Sequence, residues 1–262
     1  VVVALPGAVL PGGFAISARK TYGHVSDGMI CSARELGLGE DHTGILVLAR
    51  LGLEAAPGDD AKQLLGLGDA VLEVNVTPDR GYCFSMRGLA REYALSTGAR
   101  FTDHGLPRSP AETRPAGGGF AIELADEAPI DGVPGCDRFV AQVVRGVDAA
   151  AQSPAWLRRR LEQAGMRSIS LAVDVTNYVM LDLGQPLHAY DLATLAAPIV
   201  VRRARAGERL VTLDDVERAL DPEDLLITDS PAGSGSRILG LAGVMGGAET
   251  EVGPATRDVL LE

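Results

Sequence analysis

The sequence predicts a mixed α+β protein of more than one domain. Residues 1–50 contain short apolar runs separated by turn residues, amphipathic segments with helix-capping residues follow, and residues 198–242 are typical of consecutive strands. A chain of 262 residues is long enough for one to three domains. Its 46% hydrophobic and 23% charged residues are typical of a globular protein and argue against intrinsic disorder.

The first 50 residues favour a small antiparallel barrel or sandwich. Glycine-rich turns separate the apolar runs VVVAL, GFAIS and GILVL, a spacing expected of short strands. Residues 26–39 fit a loop and a short helix, because Ser32 can cap such a helix and Gly37 can end it. Residues 51–69 are predicted to connect this region to the next.

A strand–turn–helix unit is predicted for residues 70–98. The stretch AVLEVNVT at residues 70–77 is strand-like and continues into the turn sequence TPDRG. The segment that follows has apolar residues near helical spacing and ends at Gly98. Residues 104–119, with three prolines and a glycine triplet, are typical of a linker.

A second mixed α/β region is predicted beyond the linker. Strands are expected at FAIEL and at residues 138–145, a helix over residues 170–183, and further strands at PIVVRRA, ERLVTL, DLLIT and RILGLA. Another helix is expected to have Ser153 as its N-cap, Pro154 in its first turn and Gly165 at its end. We expect its arginines on a solvated face and its apolar side chains in the core, namely Trp156, Leu157 and Leu161.

Charge, cysteines and chain ends restrict the functional classes. The net charge of −11 argues against broad adhesion to nucleic acid or anionic membranes but leaves a local RNA-binding face open. Three distant cysteines form no C-x-x-C pair, so a reducing cytosol is expected rather than a zinc or disulfide framework. Gly and Pro interrupt every apolar stretch before the ~20 residues that span a bilayer. No signal peptide is evident, and we expect both ends to be cuts through a longer polypeptide.

Several segments contain candidate site residues. RILGLAGVMGGAE resembles a nucleotide-binding turn, but Gly240 and Gly243 do not fit the dinucleotide spacing. Two interpretations of this segment remain, a tight turn after a buried strand and the wall of a pocket, and we favour a pocket wall over a pyrophosphate-binding turn. His188 taken alone is more typical of a structural residue, and no metal site or serine triad is indicated. Thr176 is polar in an apolar helix and can bond locally. Glu262 ends an apolar strand, where a carboxylate must be paired or face a cavity.

Several longer strings together resemble one family. GMICSARELGLG, LEVNVTPDRGYCFSMRGLAREYAL, SLAVDVTNYVMLDLGQPLHAYDL, LAGVMGGAETEV and VLLE closely resemble the β subunit of bacterial phenylalanyl-tRNA synthetases, over nearly the whole chain. The resemblance implies the end of an OB-like tRNA-binding barrel in residues 1–50, and a connector with the second half of a small α/β host domain in residues 51–103. It implies a linker and connecting strand in residues 104–136, and a mixed α/β editing domain in residues 137–262.

The resemblance also implies the site. His188 and Gly243 match catalytic positions, while Thr176, Ala242 and Glu262 match positions that bind the substrate, with no metal. The editing domain of the family hydrolyses tyrosine that is wrongly esterified to the phenylalanine tRNA. Its glutamate reads the tyrosine hydroxyl, which Glu262 would do here. Tyr190 stands where Phe is usual, a departure that we expect to be without effect.

Cofactors and partners follow from the same resemblance. ATP and Mg²⁺ are expected for the complete enzyme and none for this part of it, because the synthetic site of the family lies on its α subunit. The expected partners are tRNA and that α subunit, in a cytoplasmic assembly of two α and two β subunits, with phenylalanine and tyrosyl-tRNA as substrates; neither membrane nor DNA is expected. Two alternatives remain, a noncatalytic tRNA-binding scaffold and a free-standing editing hydrolase.

Overall fold

The structure is a computed structural model that describes residues 1–39, 41–107 and 119–262. The chain divides into two compact units, Val1–Glu73 and Val74–Glu262. Both α-helices and several separate β-sheets are present, which confirms the mixed α+β class. The finer division into four domains stays a prediction, and most of the proposed linker lies outside the described residues. In the described part of the chain, no helix is both long and apolar enough to cross a membrane.

The first unit contains short strands that pair two by two. They are β1 (Val3–Ala4), β2 (Val9–Leu10), β3 (Phe14–Ala15), β4 (Arg19–Thr21), β5 (His24–Ser26) and β6 (Met29–Ile30). The antiparallel pairs are β1 with β6, β2 with β3, and β4 with β5. Ala4, Leu10, Ile16 and Cys31 form a small buried core, and helix α1 spans Ala61–Leu65. Since the described pairs do not join into one sheet, the barrel stays a prediction.

The predicted short helix in this unit is a series of hydrogen-bonded turns instead. The Ser32 hydroxyl donates to Glu35 Oε2 at 2.8 Å, and the Glu35 N–H donates back to Ser32 Oγ at 3.3 Å. This capping pattern is the expected one, and Gly37 ends the segment with a φ of 70°. The segment is too short to propagate as an α-helix, because the first turn fixes several dihedrals for a single hydrogen bond.

Two predicted strands are wrong. The run GILVL at residues 44–48 is not a strand, and its last residue begins a 3₁₀ turn at Leu48–Leu51. Residues 70–77 also lie outside any strand, and Val71, Leu72 and Val74 are more than half exposed. A strand needs a neighbour for its backbone N–H and C=O groups. No described strand pairs with residues 70–77, so their β-propensity is not realised in this structure.

The helices of the second unit follow their caps. Helix α2 (Met86–Thr97) begins after Ser85, whose Oγ accepts from the Gly88 N–H, and ends at Gly98 with a φ of 73°, as predicted. A Cβ at Gly88 would lie 1.9 Å from the Tyr82 carbonyl oxygen, so only glycine fits there.

Helix α3 (Ala155–Gln163) corrects several predictions. Its N-cap is Pro154, whereas Ser153 donates its hydroxyl to Asp174. Trp156 is 57% exposed and packs edge-on against Tyr178 rather than in the core, whereas Leu157 and Leu161 are buried as expected.

Helix α4 (Leu171–Leu183) confirms the predicted second helix. Ser170 caps it by accepting from the Val173 N–H, and Gly184 ends it in the left-handed conformation.

Of the arginines expected on a solvated face of α3, Arg160 is exposed, whereas Arg158 and Arg159 are half-buried.

The strands of the second unit form three sheets. They are β7 (Ile122–Ala125), β8 (Gln142–Arg145), β9 (Ala189–Asp191), β10 (Ile199–Arg203), β11 (Arg209–Val211), β12 (Glu217–Ala219), β13 (Leu225–Asp229), β14 (Arg237–Leu241), β15 (Met245–Gly246) and β16 (Asp258–Leu261). The largest sheet has the order β15-β14-β13-β10-β7, antiparallel except for β10 with β7.

The other two sheets are the pair β11-β12 and the antiparallel sheet β8-β16-β9. The main core of the unit draws on both larger sheets, through Tyr190, Ile199, Val201, Ile227, Leu239 and Leu260. In this arrangement β16 is the central strand of its sheet, and the residue that follows it lies beside the residue that precedes β9.

Candidate active site

The site is built where the β9–β16 ladder ends. Beyond the two strands, the Glu262 N–H donates to the His188 carbonyl at 2.8 Å, and the His188 N–H donates to the Glu262 carbonyl at 3.4 Å. Residues that exchange both backbone hydrogen bonds lie directly opposite each other and project to the same face of a sheet. Two predicted site residues, distant in sequence, therefore meet at one point.

A cleft of about 160 Å³ opens at this point. Its walls come from the segment before and within β9, from β13, from the β14–β15 hairpin and from the end of β16. The lining residues that bear on function are His188, Tyr190, Gly243, Met245, Gly246 and Glu262. The cleft therefore contains three of the five predicted site residues, namely His188, Gly243 and Glu262.

The Glu262 side chain lies in an apolar environment with one hydrogen-bond donor. The Tyr190 hydroxyl donates to Glu262 Oε2 at 2.5 Å. Burial raises the pKa of the Glu262 carboxyl, and the hydrogen bond from Tyr190 opposes that rise. Within the described residues, no Lys, Arg or His forms an ion pair with Glu262, and Oε1 accepts no hydrogen bond. This carboxyl group therefore has acceptor capacity left for a ligand.

The His188 imidazole is half-buried beside Tyr190, with ring centroids 4.4 Å apart in an edge-on arrangement. Burial lowers the pKa of this imidazole, which favours its neutral form at physiological pH. A Cβ at Gly246 would lie 2.5 Å from His188 Cε1 and 2.8 Å from Nε2, so the absence of a side chain there makes room for the ring. No described residue hydrogen-bonds to the imidazole nitrogens, which leaves both for a ligand or water.

Gly243 lies in the turn that joins β14 to β15. Its φ of 70° is in the left-handed region that favours glycine, and a Cβ there would contact nothing within 4 Å. The Gly243 N–H donates to no described residue, whereas the neighbouring Ala242 N–H donates to the Leu225 carbonyl at 2.9 Å. An exposed backbone donor at the cleft edge fits a pocket wall, as the sequence favoured.

Thr176 and Ala242 do not line the cleft. Thr176 is buried in α4, and its hydroxyl donates to the Val173 carbonyl of the same helix at 2.8 Å. Ala242 packs against the main core of the unit. This local bonding is the structural alternative that the sequence left open for Thr176. The predicted substrate-binding roles of both residues stay predictions.

Sequence reasoning missed two residues of the site, Tyr190 and Gly246. Strand periodicity was the available signal for Tyr190, since residues two apart on a strand face the same side and Tyr190 follows His188 by two. Gly246 carried no local signal, because its role depends on an imidazole from a distant segment. In the described part of the chain, no group of three or more His, Cys, Asp or Glu could hold a metal ion.

The arrangement joins an underbonded carboxyl group, a neutral imidazole and an open backbone N–H around one small cleft. Such a site can accept a hydrogen bond from a hydroxyl and can position a carbonyl and a water molecule. In comparison with known protein families, residues 135–262 match the model of the B3/4 domain.

Over its whole length, the chain is similar to part of the phenylalanine–tRNA ligase β subunits of several bacteria. It is 58% identical over 275 residues to the subunit of Bifidobacterium longum and 61% identical over 267 residues to that of Leifsonia xyli. The β subunit of Thermobifida fusca is 57% identical over 262 residues. These alignments cover 100% of this chain and 32%, 31% and 30% of the relatives, so the chain spans about a third of their length. The resemblance found in the sequence is confirmed at this level.

Among solved structures, the chain is similar to an N-terminal fragment of the phenylalanyl-tRNA synthetase β-subunit from Pyrococcus horikoshii. The TM-score is 0.39 at 17% identity, over 74% of this chain and 57% of that one.

Proposed function

We propose that this chain is a part of a phenylalanine–tRNA ligase β subunit and that its own chemistry is hydrolytic proofreading. Its substrate is tyrosine that has been wrongly esterified to the phenylalanine tRNA. The observation that carries the proposal is the meeting of Glu262, His188 and Gly243 in one cleft, on a chain homologous to these β subunits. In the complete enzyme, this activity accompanies the attachment of phenylalanine to tRNA.

The chemistry of Glu262 supports tyrosine selectivity. Tyrosine and phenylalanine differ by one hydroxyl, and a site that hydrogen-bonds a hydroxyl can reject the analogue lacking it by about 10⁴–10⁵. The penalty arises because a buried polar group loses water without gaining a partner. Glu262 Oε1 accepts no hydrogen bond from a described residue, so a tyrosyl hydroxyl would donate to this oxygen.

Hydrolysis at this site requires no protein nucleophile. An aminoacyl ester is already activated, so holding a water molecule and stabilising the developing oxyanion suffice. In this proposal the Gly243 N–H donates to the oxyanion, and a neutral His188 orients the water or the ester. The absence of a serine triad from the sequence motifs agrees with such a mechanism.

The remaining parts of the proposal concern the assembly. We place ATP with Mg²⁺ and the activation of phenylalanine on an α subunit, in a cytoplasmic complex of two α and two β subunits that binds tRNA. This chain would then supply no ATP or Mg²⁺ site of its own.

One observation favours the scaffold alternative. In the first unit, Val71 and Leu72 expose more than half of their surface, and exposed apolar side chains next to one another often mark contacts with other chains. A protein that only docks a partner or tRNA would keep such contacts and show no hydrolysis. Deacylation kinetics therefore separate the two functions.

The test measures release of tyrosine from tyrosyl-tRNA for phenylalanine, with phenylalanyl-tRNA as the comparison substrate. The whole chain is compared with His188→Ala, Glu262→Ala and the matched exposed controls His104→Ala and Glu251→Ala, each checked for folding by circular dichroism. We expect tyrosine-selective hydrolysis that falls in His188→Ala and loses its selectivity in Glu262→Ala. A folded chain that hydrolyses neither substrate supports the scaffold and contradicts proofreading.

A further inference from the structure

We infer that Tyr190 is a positioning residue that determines the specificity of the cleft: its hydroxyl holds Glu262 Oε2 so that Oε1 alone faces the ligand. This inference rests on the proposed function for the identity of the ligand. It replaces the expectation that tyrosine at this position has no effect. The geometric basis is the 2.5 Å hydrogen bond from the Tyr190 hydroxyl to Glu262 Oε2.

The Tyr190 side chain is held firmly enough to position another group. It is 1% exposed and belongs to the main core of the unit, with Ile199, Val201 and Leu260. Strand pairing places Tyr190 opposite Leu260, two residues before Glu262 on the facing strand. A close-packed ring of this size has few alternative rotamers, so its hydroxyl stays at one place in the cleft.

The hydrogen bond divides the two carboxylate oxygens between the protein and the ligand. Oε2 already accepts from a phenol of the chain, and Oε1 accepts from no described residue. A tyrosyl substrate would donate a second phenol to the same carboxylate. A phenylalanyl ring at that place would leave Oε1 desolvated and unpaired, which is the basis of discrimination.

Three titratable groups lie around the Glu262 carboxyl, from different segments. They are the Tyr190 phenol, the His188 imidazole on the cleft wall, and the Cys136 thiol. Burial raises the pKa of this thiol, with smaller contributions from the charges of Asp137 and Glu262, against a lowering by a backbone hydrogen bond at Arg138. No cation pairs with Glu262 within the described residues, so the hydrogen bond from Tyr190 is what opposes the effect of burial. Removing the Tyr190 hydroxyl should therefore both release the carboxyl group and raise its pKa.

The first arm of the test uses Tyr190→Phe, which removes one oxygen and keeps the ring. Tyr178→Phe is the matched control, because Tyr178 packs edge-on against Trp156 and does not line the cleft. The ratio of tyrosyl- to phenylalanyl-tRNA deacylation is measured as a function of pH. We expect that ratio to fall roughly tenfold or more in Tyr190→Phe, as for a lost hydrogen bond to a charged group, with the acid limb of the tyrosine reaction at higher pH. Tyr178→Phe should match the parent chain.

The second arm does not depend on hydrolysis. Carbon-13 NMR follows the titration of the glutamate carboxyl carbons, and the resonance missing from Glu262→Gln identifies Glu262. We expect the pKa of Glu262 to be higher in Tyr190→Phe than in the parent. If the parent chain hydrolyses neither ester, the proposed function fails, and this titration still tests the positioning role.

Two outcomes would overturn the inference. One is a folded Tyr190→Phe variant with unchanged selectivity, pH profile and Glu262 titration. The other applies even if that variant does not fold: since the Tyr190 hydroxyl donates to Glu262, the carbon-13 shift of Tyr190 Cζ should change as Glu262 titrates in the parent and stay constant over the same pH range in Glu262→Gln. A Tyr190 Cζ shift that behaves the same in both proteins would show that the two groups do not interact.

Discussion

Two carboxylates of the second unit are withdrawn from water in different ways. Asp174, at the start of α4, is fully buried and accepts three hydrogen bonds, from Ser153 Oγ at 2.5 Å, Ser168 Oγ at 2.6 Å and the Ile169 N–H at 2.9 Å. Glu262, in the cleft, accepts one, from Tyr190. In the corner between α3 and α4, Asp174 therefore has its hydrogen-bonding capacity largely used, whereas Glu262 in the cleft has acceptor capacity left.

The difference separates a structural role from a functional one. A buried carboxylate with several donors stabilises the loops that donate to it, and its acceptor capacity is used. A half-buried carboxylate with one donor is less favourable in its ionised form than in water, but it keeps a vacant acceptor for a ligand. The following predictions test this contrast, from the largest expected effect to the smallest.

Replacing Asp174 should have the largest effect on stability. Asp174→Ala removes the shared acceptor and leaves the buried Ser153 hydroxyl and two partly buried donors unpaired, at about 1–3 kcal/mol each when buried, so we expect a loss of roughly 3 kcal/mol. Urea denaturation monitored by circular dichroism gives the free energy of unfolding. Asp182→Ala on the same helix, at a half-buried position, is the control and should change it by only about 0.5 kcal/mol. Equal losses in the two variants would contradict a structural role for Asp174.

Adding a methyl group at Gly246 should reduce activity in the cleft, while the hydrogen bonds of Asp174 between α3 and α4 stay intact. The new Cβ would lie 2.5 Å from His188 Cε1, so the imidazole must move. Misplacing a positioning group by about 1 Å can reduce a rate by ~10²-fold, which is the decrease expected for tyrosyl-tRNA deacylation by Gly246→Ala. Gly253→Ala is the control, since a Cβ there meets nothing within 4 Å. A Gly246→Ala variant with parental activity would show that the imidazole position is unimportant.

Glu262→Gln should make the protein more stable and less selective. Burial raises the pKa of Glu262 in the folded state, so its ionisation reduces stability as pH rises through that value, and the cost is absent below the unfolded pKa of about 4.3. We therefore expect the melting temperature of the variant to exceed that of the parent by a few degrees at neutral pH. The difference should vanish in acid. A variant less stable than the parent at neutral pH would argue that Glu262 is as well satisfied as Asp174.

Asp258, at the other end of β16, should show the opposite and smallest effect. The Gly146 N–H and the Arg145 guanidinium hold the pKa of Asp258 below its usual range. Its contribution to stability is present above the unfolded pKa of about 3.9 and is lost as pH falls through the lower folded value. Asp258→Asn should therefore be slightly less stable than the parent at neutral pH and equal to it in acid, with unchanged deacylation selectivity. Thermal melts across pH provide the comparison.

Local sequence determined the helices of the second unit. The end of α2 at Gly98 and the extent of α4 follow from the sequence, because a helix end depends on residues within one turn of it; the caps at Ser85 and Gly184 appear only in the structure. The same reasoning assigned a cap to Ser153, whose hydroxyl instead bonds Asp174, 21 residues away. A residue that can cap a helix can equally serve a distant acceptor, and local sequence does not distinguish the two uses.

Sequence by itself also determined the class of the chain and, through its resemblance to a family, the three residues that meet in the cleft. Only the tertiary structure decided which strands exist, since residues 70–77 have high β-propensity but no partner for their backbone groups. It also decided that Trp156 is exposed and that the Tyr190 hydroxyl, 72 residues away in sequence, bonds Glu262. The physical reason is the same in each case: strand pairing, burial and acid–phenol contacts join segments that are distant along the chain, so no local pattern encodes them.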